Sequence, residues 1–138
     1  METTYALDTN IIIRYLRKDS NVRSSLHDAV TRGCDLVIPK IVDYELRRGF
    51  RITSAPKKEE AYAELAYKGY CTLAEMDVHS WNQAEQVYTD LYQKRLTVGE
   101  LDILIAAFCI ENKCTLVTNN TKDFENIDGL QLEDWSVD

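Results

Sequence analysis

Short apolar runs alternate along the chain with longer stretches in which apolar residues recur every three or four positions. Thr4-Tyr5-Ala6-Leu7 reads as a first strand ending at Asp8, and Leu36-Val37-Ile38 as a second ending at Pro39. Thr115-Leu116-Val117-Thr118 reads as a third, followed at once by the turn-forming pair Asn119-Asn120. A weaker strand is expected at Thr72-Leu73-Ala74 and a last edge strand at Leu130-Gln131-Leu132. Helical periodicity covers roughly residues 10–17, 22–32, 40–52, 57–69, 80–95 and 99–112. Ser80 with Gln83, and Thr97 with Glu100, have the spacing of capping boxes and set the expected starts of the last two helices. Pro39 stands where a helix can begin without losing a hydrogen bond. Strands separated by helices predict an α/β fold with three α/β/α layers, its mostly parallel central sheet covered by helices on both faces. Ligands of such sheets bind beyond the carboxyl ends of the strands, so acids at those ends are the ones to examine.

At 138 residues the chain suits one ordinary domain, 1–138, and it has no repeats, low-complexity tracts or Gly/Ser linkers. No run approaches the ~20 apolar residues that cross a bilayer. The start, Met1-Glu2-Thr3-Thr4, lacks the basic and apolar regions of a signal peptide, so a cytoplasmic protein away from membranes is expected. The net charge of −7 disfavours broad adhesion to nucleic acid, and any chemistry on a polyanion must be local. Cys34, Cys71, Cys109 and Cys114 form neither a CxxC pair nor a dense disulfide pattern and read as small core thiols.

Three places hold acids of interest. Asp8 lies at a strand-to-helix turn, where capping the next helix and binding a ligand are both open to it. Asp102 falls in Leu101-Asp102-Ile103-Leu104-Ile105-Ala106-Ala107-Phe108-Cys109-Ile110, a helix apolar on almost every side and therefore expected between neighbours. A carboxylate there must be protonated, paired or bound to a cation, because burying an unpaired charge costs several kcal/mol or more. In the segment from Ile41 to Phe50, Asp43 and Glu45 flank the stripe of Val42, Leu46 and Phe50 on opposite sides, and periodicity does not separate them. Arg47, Arg48 and Arg51 are able to pair with either.

Four segments in order resemble the successive motifs of PIN-domain nucleases: Leu7-Asp8-Thr9-Asn10, Tyr44-Glu45-Leu46-Arg47-Arg48-Gly49, Asp102-Ile103-Leu104-Ile105-Ala106-Ala107, and Leu116 through Phe124. Order and spacing are most similar to the VapC-type toxins of bacterial toxin–antitoxin pairs, and the likeness extends through Ile127-Asp128-Gly129-Leu130 to Trp135. The resemblance implies a PIN-like fold and a metal-dependent endoribonuclease whose acids are Asp8, Glu45 rather than Asp43, and Asp102. Many PIN domains carry a further acid where this chain has Asn120. The fourth position therefore stays open between Asn120 as an amide that orients water, Asp123 as a more distant carboxylate, and no direct role.

An all-oxygen donor set favours Mg²⁺ or Mn²⁺ over zinc. Without an ion, neighbouring carboxylates repel and one of them should hold its proton more tightly. Thr9 and Asn10 are expected to support the acids or contact the substrate phosphate, and Glu100 to serve as a capping acid. Arg14, Arg17 and Lys18, with Arg47, Arg48 and Arg51, are candidates for contacts with RNA phosphates. The family likeness adds a small antitoxin as partner, its C-terminal segment laid across the groove with a basic side chain toward the acids, and a homodimer formed through a helical face. Two other readings compete. One is a PIN-like module that is catalytically weak and binds RNA or protein. The other is an aspartyl-phosphate phosphotransferase, disfavoured because Asn10 stands where its second acid is needed.

Overall fold

The computed structural model describes residues 2–137. In chain order the elements are β1 (Thr4–Leu7), α1 (Thr9–Leu16), α2 (Ser20–Thr31), β2 (Asp35–Pro39), α3 (Lys40–Ile52), α4 (Pro56–Tyr67), β3 (Cys71–Ala74), α5 (Val78–Gln93), α6 (Glu100–Glu111), β4 (Thr115–Val117), α7 (Thr121–Phe124) and β5 (Gln131–Glu133). The sheet order is β3-β2-β1-β4-β5, and every neighbouring pair is parallel. The expected three-layer architecture is present, and both weak strands are real members of the sheet.

Connections from β1 to β2 to β3 run one way across the sheet, whereas β4 and β5 lie on the other side of β1. Because parallel crossovers are right-handed, this reversal puts helices on opposite faces and leaves a crevice beyond the ends of β1 and β4. Two-sided cover explains why Tyr5, Ala6 and Leu7 are all buried rather than alternately so. It likewise explains the buried run Ile105-Ala106-Ala107-Phe108-Cys109 in α6.

Both capping boxes are corrected by the structure. Helix α5 starts two residues earlier than Ser80, capped by Asp77, whose carboxylate accepts from the Ser80 amide at 2.8 Å; Ser80 itself is fully buried. Helix α6 begins after Gly99, with no side-chain cap, and Thr97 lies outside it. The Ser/Thr-x-x-Glu/Gln spacing was present without the geometry: at α5 the Asp77 carboxylate takes the Ser80 amide, and at α6 Thr97 stands outside the first turn. Glu100 is exposed and serves no capping role. The short α7 is an addition to the expected elements. Cys34, Cys109 and Cys114 are buried and Cys71 is half-buried, all as free thiols. Among the described residues no helix is long and apolar enough to cross a membrane.

Candidate active site

Asp8 ends β1, where its amide still donates to the Val117 carbonyl at 2.9 Å and extends the ladder by one step. It is 5% exposed, and its two oxygens have separate partners. Oδ1 accepts from the Thr9 amide at 2.8 Å, so Asp8 does cap α1; Oδ2 accepts from the Thr118 hydroxyl at 2.7 Å. The cap and the site are thus not alternatives: one residue occupies both positions. Burial raises the Asp8 pKa, the two hydrogen bonds oppose that rise, and the Asp123 charge adds to it.

Glu45 reaches the same crevice from α3, where Thr9 donates its hydroxyl to Oε1 at 3.0 Å. Its pKa is raised by burial and by Asp8, against the Thr9 hydrogen bond and the Arg48 charge. Asp43, one position away on the other flank, faces elsewhere. It is 1% exposed and accepts from Tyr62 at 2.7 Å, Tyr67 at 3.1 Å and Lys40 at 2.8 Å. Periodicity could not distinguish these acids because both flank the apolar stripe; the partners that α4 supplies are what set Asp43 apart.

Asp102 sits in the first turn of α6, near the positive end of that helix. It is half-buried rather than enclosed as its apolar neighbours suggested, since only one end of α6 reaches the crevice. Among the described residues its carboxylate accepts no protein hydrogen bond. Burial together with the Asp8, Glu45 and Asp123 carboxylates pushes its pKa up to about 6. Burial is the largest of these causes, and repulsion from the neighbouring carboxylates adds to it.

The fourth position divides between two residues. The Asn120 side chain donates to Asp123 Oδ2, while the exposed Asp123 acts on Asp8 and Asp102 through its charge. Asn10 is exposed and bonds to none of the acids; it lines a polar cavity with Arg14 and Arg17. The basic residues disperse more than expected. Arg48 acts on Glu45 and lies over the Tyr44 ring. Arg47 turns away toward Tyr67, its guanidinium 6.0 Å from the ring centre, and Arg14 pairs with Asp19 at 3.1 Å. Arg51 is exposed and forms no ion pair among the described residues. Arg17 borders the crevice, alongside Lys58, whose place there the sequence did not suggest.

Thr118 is the residue that sequence reasoning missed, having been read as the end of a strand. Its buried hydroxyl donates to Asp8 and accepts from the Asn120 amide at 3.0 Å, tying the first motif to the last. A hydroxyl residue one step past a central strand, beside an acid at the same level on the next strand, was the available signal.

Hard carboxylate oxygens that repel one another, with Arg48 acting against Glu45, fit a divalent cation of the Mg²⁺ or Mn²⁺ kind. Among the described residues, no three acidic, His or Cys side chains converge into a ready-made metal-binding group. The fit therefore rests on donor chemistry and uncompensated charge.

The profile of the PIN-domain family matches residues 5–130. Ribonuclease VapC2 of Rickettsia felis is 31% identical over 132 residues, covering 95% of this chain and 97% of that protein. The tRNA(fMet)-specific endonuclease VapC of Shigella flexneri is 29% identical, covering 96% and 98%. Among solved structures, DNA-bound VapBC from Salmonella typhimurium superposes with a TM-score of 0.85 at 28% identity, over 96% of this chain and 98% of that one. VapBC2 from Rickettsia felis, bound to a promoter DNA fragment, gives 0.84 at 30% identity, over 96% and 99%. Sheet order, crevice and motif acids agree with a match over nearly the whole length, and the chain belongs to the PIN-domain family.

Proposed function

We propose that this protein is a Mg²⁺- or Mn²⁺-dependent endoribonuclease, the toxin of a toxin–antitoxin pair, whose site acids are Asp8, Glu45 and Asp102. The observation that carries the assignment of these residues is their shared place beyond the ends of β1 and β4, where burial raises all three acids and neighbouring carboxylates add to the rise. A bound divalent ion would neutralise that crowd, lower the pKa of a coordinated water and stabilise charge on the phosphate.

The chain's own groups hold and orient. Thr118 and the Thr9 amide fix the Asp8 carboxylate, and Thr9 turns Glu45 inward. Asp102 accepts no hydrogen bond among the described residues, and its pKa of about 6 lets it take up a proton under mildly acidic conditions in the absence of the ion. Asn120 positions Asp123 at the rim. Arg17, Arg48 and Lys58 supply positive charge beside the crevice, where an RNA backbone must approach the acids.

An antitoxin partner suits the groove next to Glu45. Ile13, Leu16, Leu46 and Phe50 line its apolar part, with a volume of about 230 Å³. Apolar side chains of the partner fill it, and a basic one reaches Glu45. A second copy of the chain is the other proposed partner, seated on the exposed Trp81, Tyr88 and Tyr92 of α5. Light scattering of the purified protein tests the dimer. Cytoplasmic residence completes the proposal.

The test is cleavage of structured and unstructured RNAs with Mg²⁺ or Mn²⁺, compared with chelator. Cleavage that needs the ion and is lost in Asp8→Asn and Asp102→Asn supports the reading. Ion-independent cleavage, or full activity in both variants, overturns it. RNA binding without cleavage would favour the binding-module alternative.

A further inference from the structure

A polar cavity of about 520 Å³ opens beside the acids, walled by α1, the start of α2 and the residues that follow β4. Three of its wall residues, Asn10, Arg14 and the helix's C-cap Arg17, stand four and then three positions apart, so they share one face of α1. From first to last the stripe runs about 10 Å. Its near end lies at the site, because Asn10 follows Asp8 and Thr9 into the helix. Asn119 joins the same wall directly after Thr118, whose hydroxyl holds Asp8.

This wall offers donors. Arg14 gives Nη1 to Asp19 at 3.1 Å and keeps its remaining N–H groups. Asp19, the one acid in the lining, is already engaged: Oδ2 accepts from Arg14, and Oδ1 accepts from the Asn21 and Val22 amides as the cap of α2. Arg17 is exposed and forms no ion pair among the described residues. The Oδ1 of Asn119 is sealed and accepts no hydrogen bond, so the amide has only its Nδ2 donor to offer. Two guanidinium groups and an amide donor around a spent carboxylate suit an anion. Reading a base edge needs an acceptor and a donor held side by side, which this wall does not present, whereas a phosphate needs donors alone. Arginines on α3 have no such frame, since Arg47 lies against Tyr67.

We infer that this cavity holds the RNA backbone on one side of the cut, with Asn10 and Asn119 donating to the phosphate nearest the acids and Arg14 and Arg17 to the phosphate beyond it. The substrate strand thus leaves the acids along α1 rather than along α3, and it is held there whatever its bases. The inference deepens the ribonuclease reading and rests on it for the place of the cut.

The experiment measures binding of short fluorescent oligouridylate and oligoadenylate probes to Asp8→Asn protein in Mg²⁺, across a range of salt. Arg17→Gln should weaken both probes about tenfold. It should also flatten the slope of log affinity against log salt by about 0.7. Asn119→Ala should weaken both about threefold with the slope unchanged. Asn119→Asp should cost more than alanine, because it turns negative charge toward the phosphate. Arg51→Gln, on α3, should leave affinity and slope as they were, and inorganic phosphate at equal ionic strength should not displace the probes. Unchanged binding in Arg17→Gln and Asn119→Asp overturns the inference, and so does a loss confined to one probe, which would mean base reading. A slope flattened as much by Arg51→Gln would route the strand along α3, and displacement by inorganic phosphate would make this a free-anion site; either result also overturns it. Wild-type cleavage is scored separately. Cleavage with unchanged binding in both variants sinks the backbone subsite alone, whereas the expected losses without any cleavage keep the subsite and sink the ribonuclease reading.

Discussion

Asp43 and Glu45 occupy equivalent flanks of one helix, yet truncating them should have opposite consequences. Asp43→Ala removes a carboxylate that is 1% exposed and accepts three hydrogen bonds. Lys40 and Tyr67 are about half exposed and recover water, so their share of the loss is small, about 1 kcal/mol or less. Tyr62 is fully buried, and its hydroxyl would lose its acceptor at a cost of about 1–3 kcal/mol. The sum is about 1–4 kcal/mol, which in a domain of this size lowers the melting temperature by roughly 3–14 °C. Asp43→Asn keeps an acceptor for Tyr62 and should cost about 1 kcal/mol. In Glu45→Gln the amide oxygen still accepts from Thr9 and one of the crowded charges is gone, so metal-free melting should hold or rise while cleavage collapses.

The pH dependence supplies an independent check. Burial works to raise the Asp43 pKa, but the bonds from Lys40, Tyr62 and Tyr67 together bring it below the ordinary 3.8. A lowered carboxyl pKa contributes stability above the unfolded value that is lost as pH falls through the folded one. The deficit of Asp43→Ala should therefore be full near neutrality and shrink below about pH 4. Circular-dichroism melts of the two variants and of Tyr62→Phe, alone and combined with Asp43→Ala, read the coupling directly. An Asp43→Ala protein that melts with the parent, or a Glu45→Gln protein that unfolds readily, would refute this account of the helix.

Asp8→Asn and Asp102→Asn should fold and yet lose the metal-induced rise in stability, which in the parent reaches about 2.7 kcal/mol at metal a hundredfold above its dissociation constant; melts with and without Mn²⁺ check this. Because the Asp102 pKa is raised to about 6, its contribution to metal-free stability is complete below about pH 4 and disappears as pH rises through 6. Melts across that window should show the decline in the parent and a flatter profile in Asp102→Asn. Thr118→Val removes the donor to Asp8 Oδ2 and the acceptor for the Asn120 amide, so metal affinity in a titration should fall about 10- to 100-fold with the fold retained.

Most of the architecture was legible along the chain because it is written in local periods. Apolar runs such as Tyr5-Ala6-Leu7 and the all-round apolar α6 declare burial on two faces, and helices between strands make the sheet parallel. The order of motif segments named the family, and the placement of Asp8 after a strand pointed to the crevice. What tertiary structure decided was which side chains meet. Asp43 and Glu45 are equal to any analysis of one helix, and only α4, bringing Tyr62 and Tyr67 to one of them, breaks the tie. Arg47 and Arg48 are likewise adjacent in sequence and divided in space. Thr118 joins Asp8 across 110 residues of chain because β1 and β4 are neighbours in the sheet, a pairing that no local period encodes. The capping boxes failed for the same reason in reverse, since a short motif states what a segment can bond to, while the packed chain determines which partner arrives.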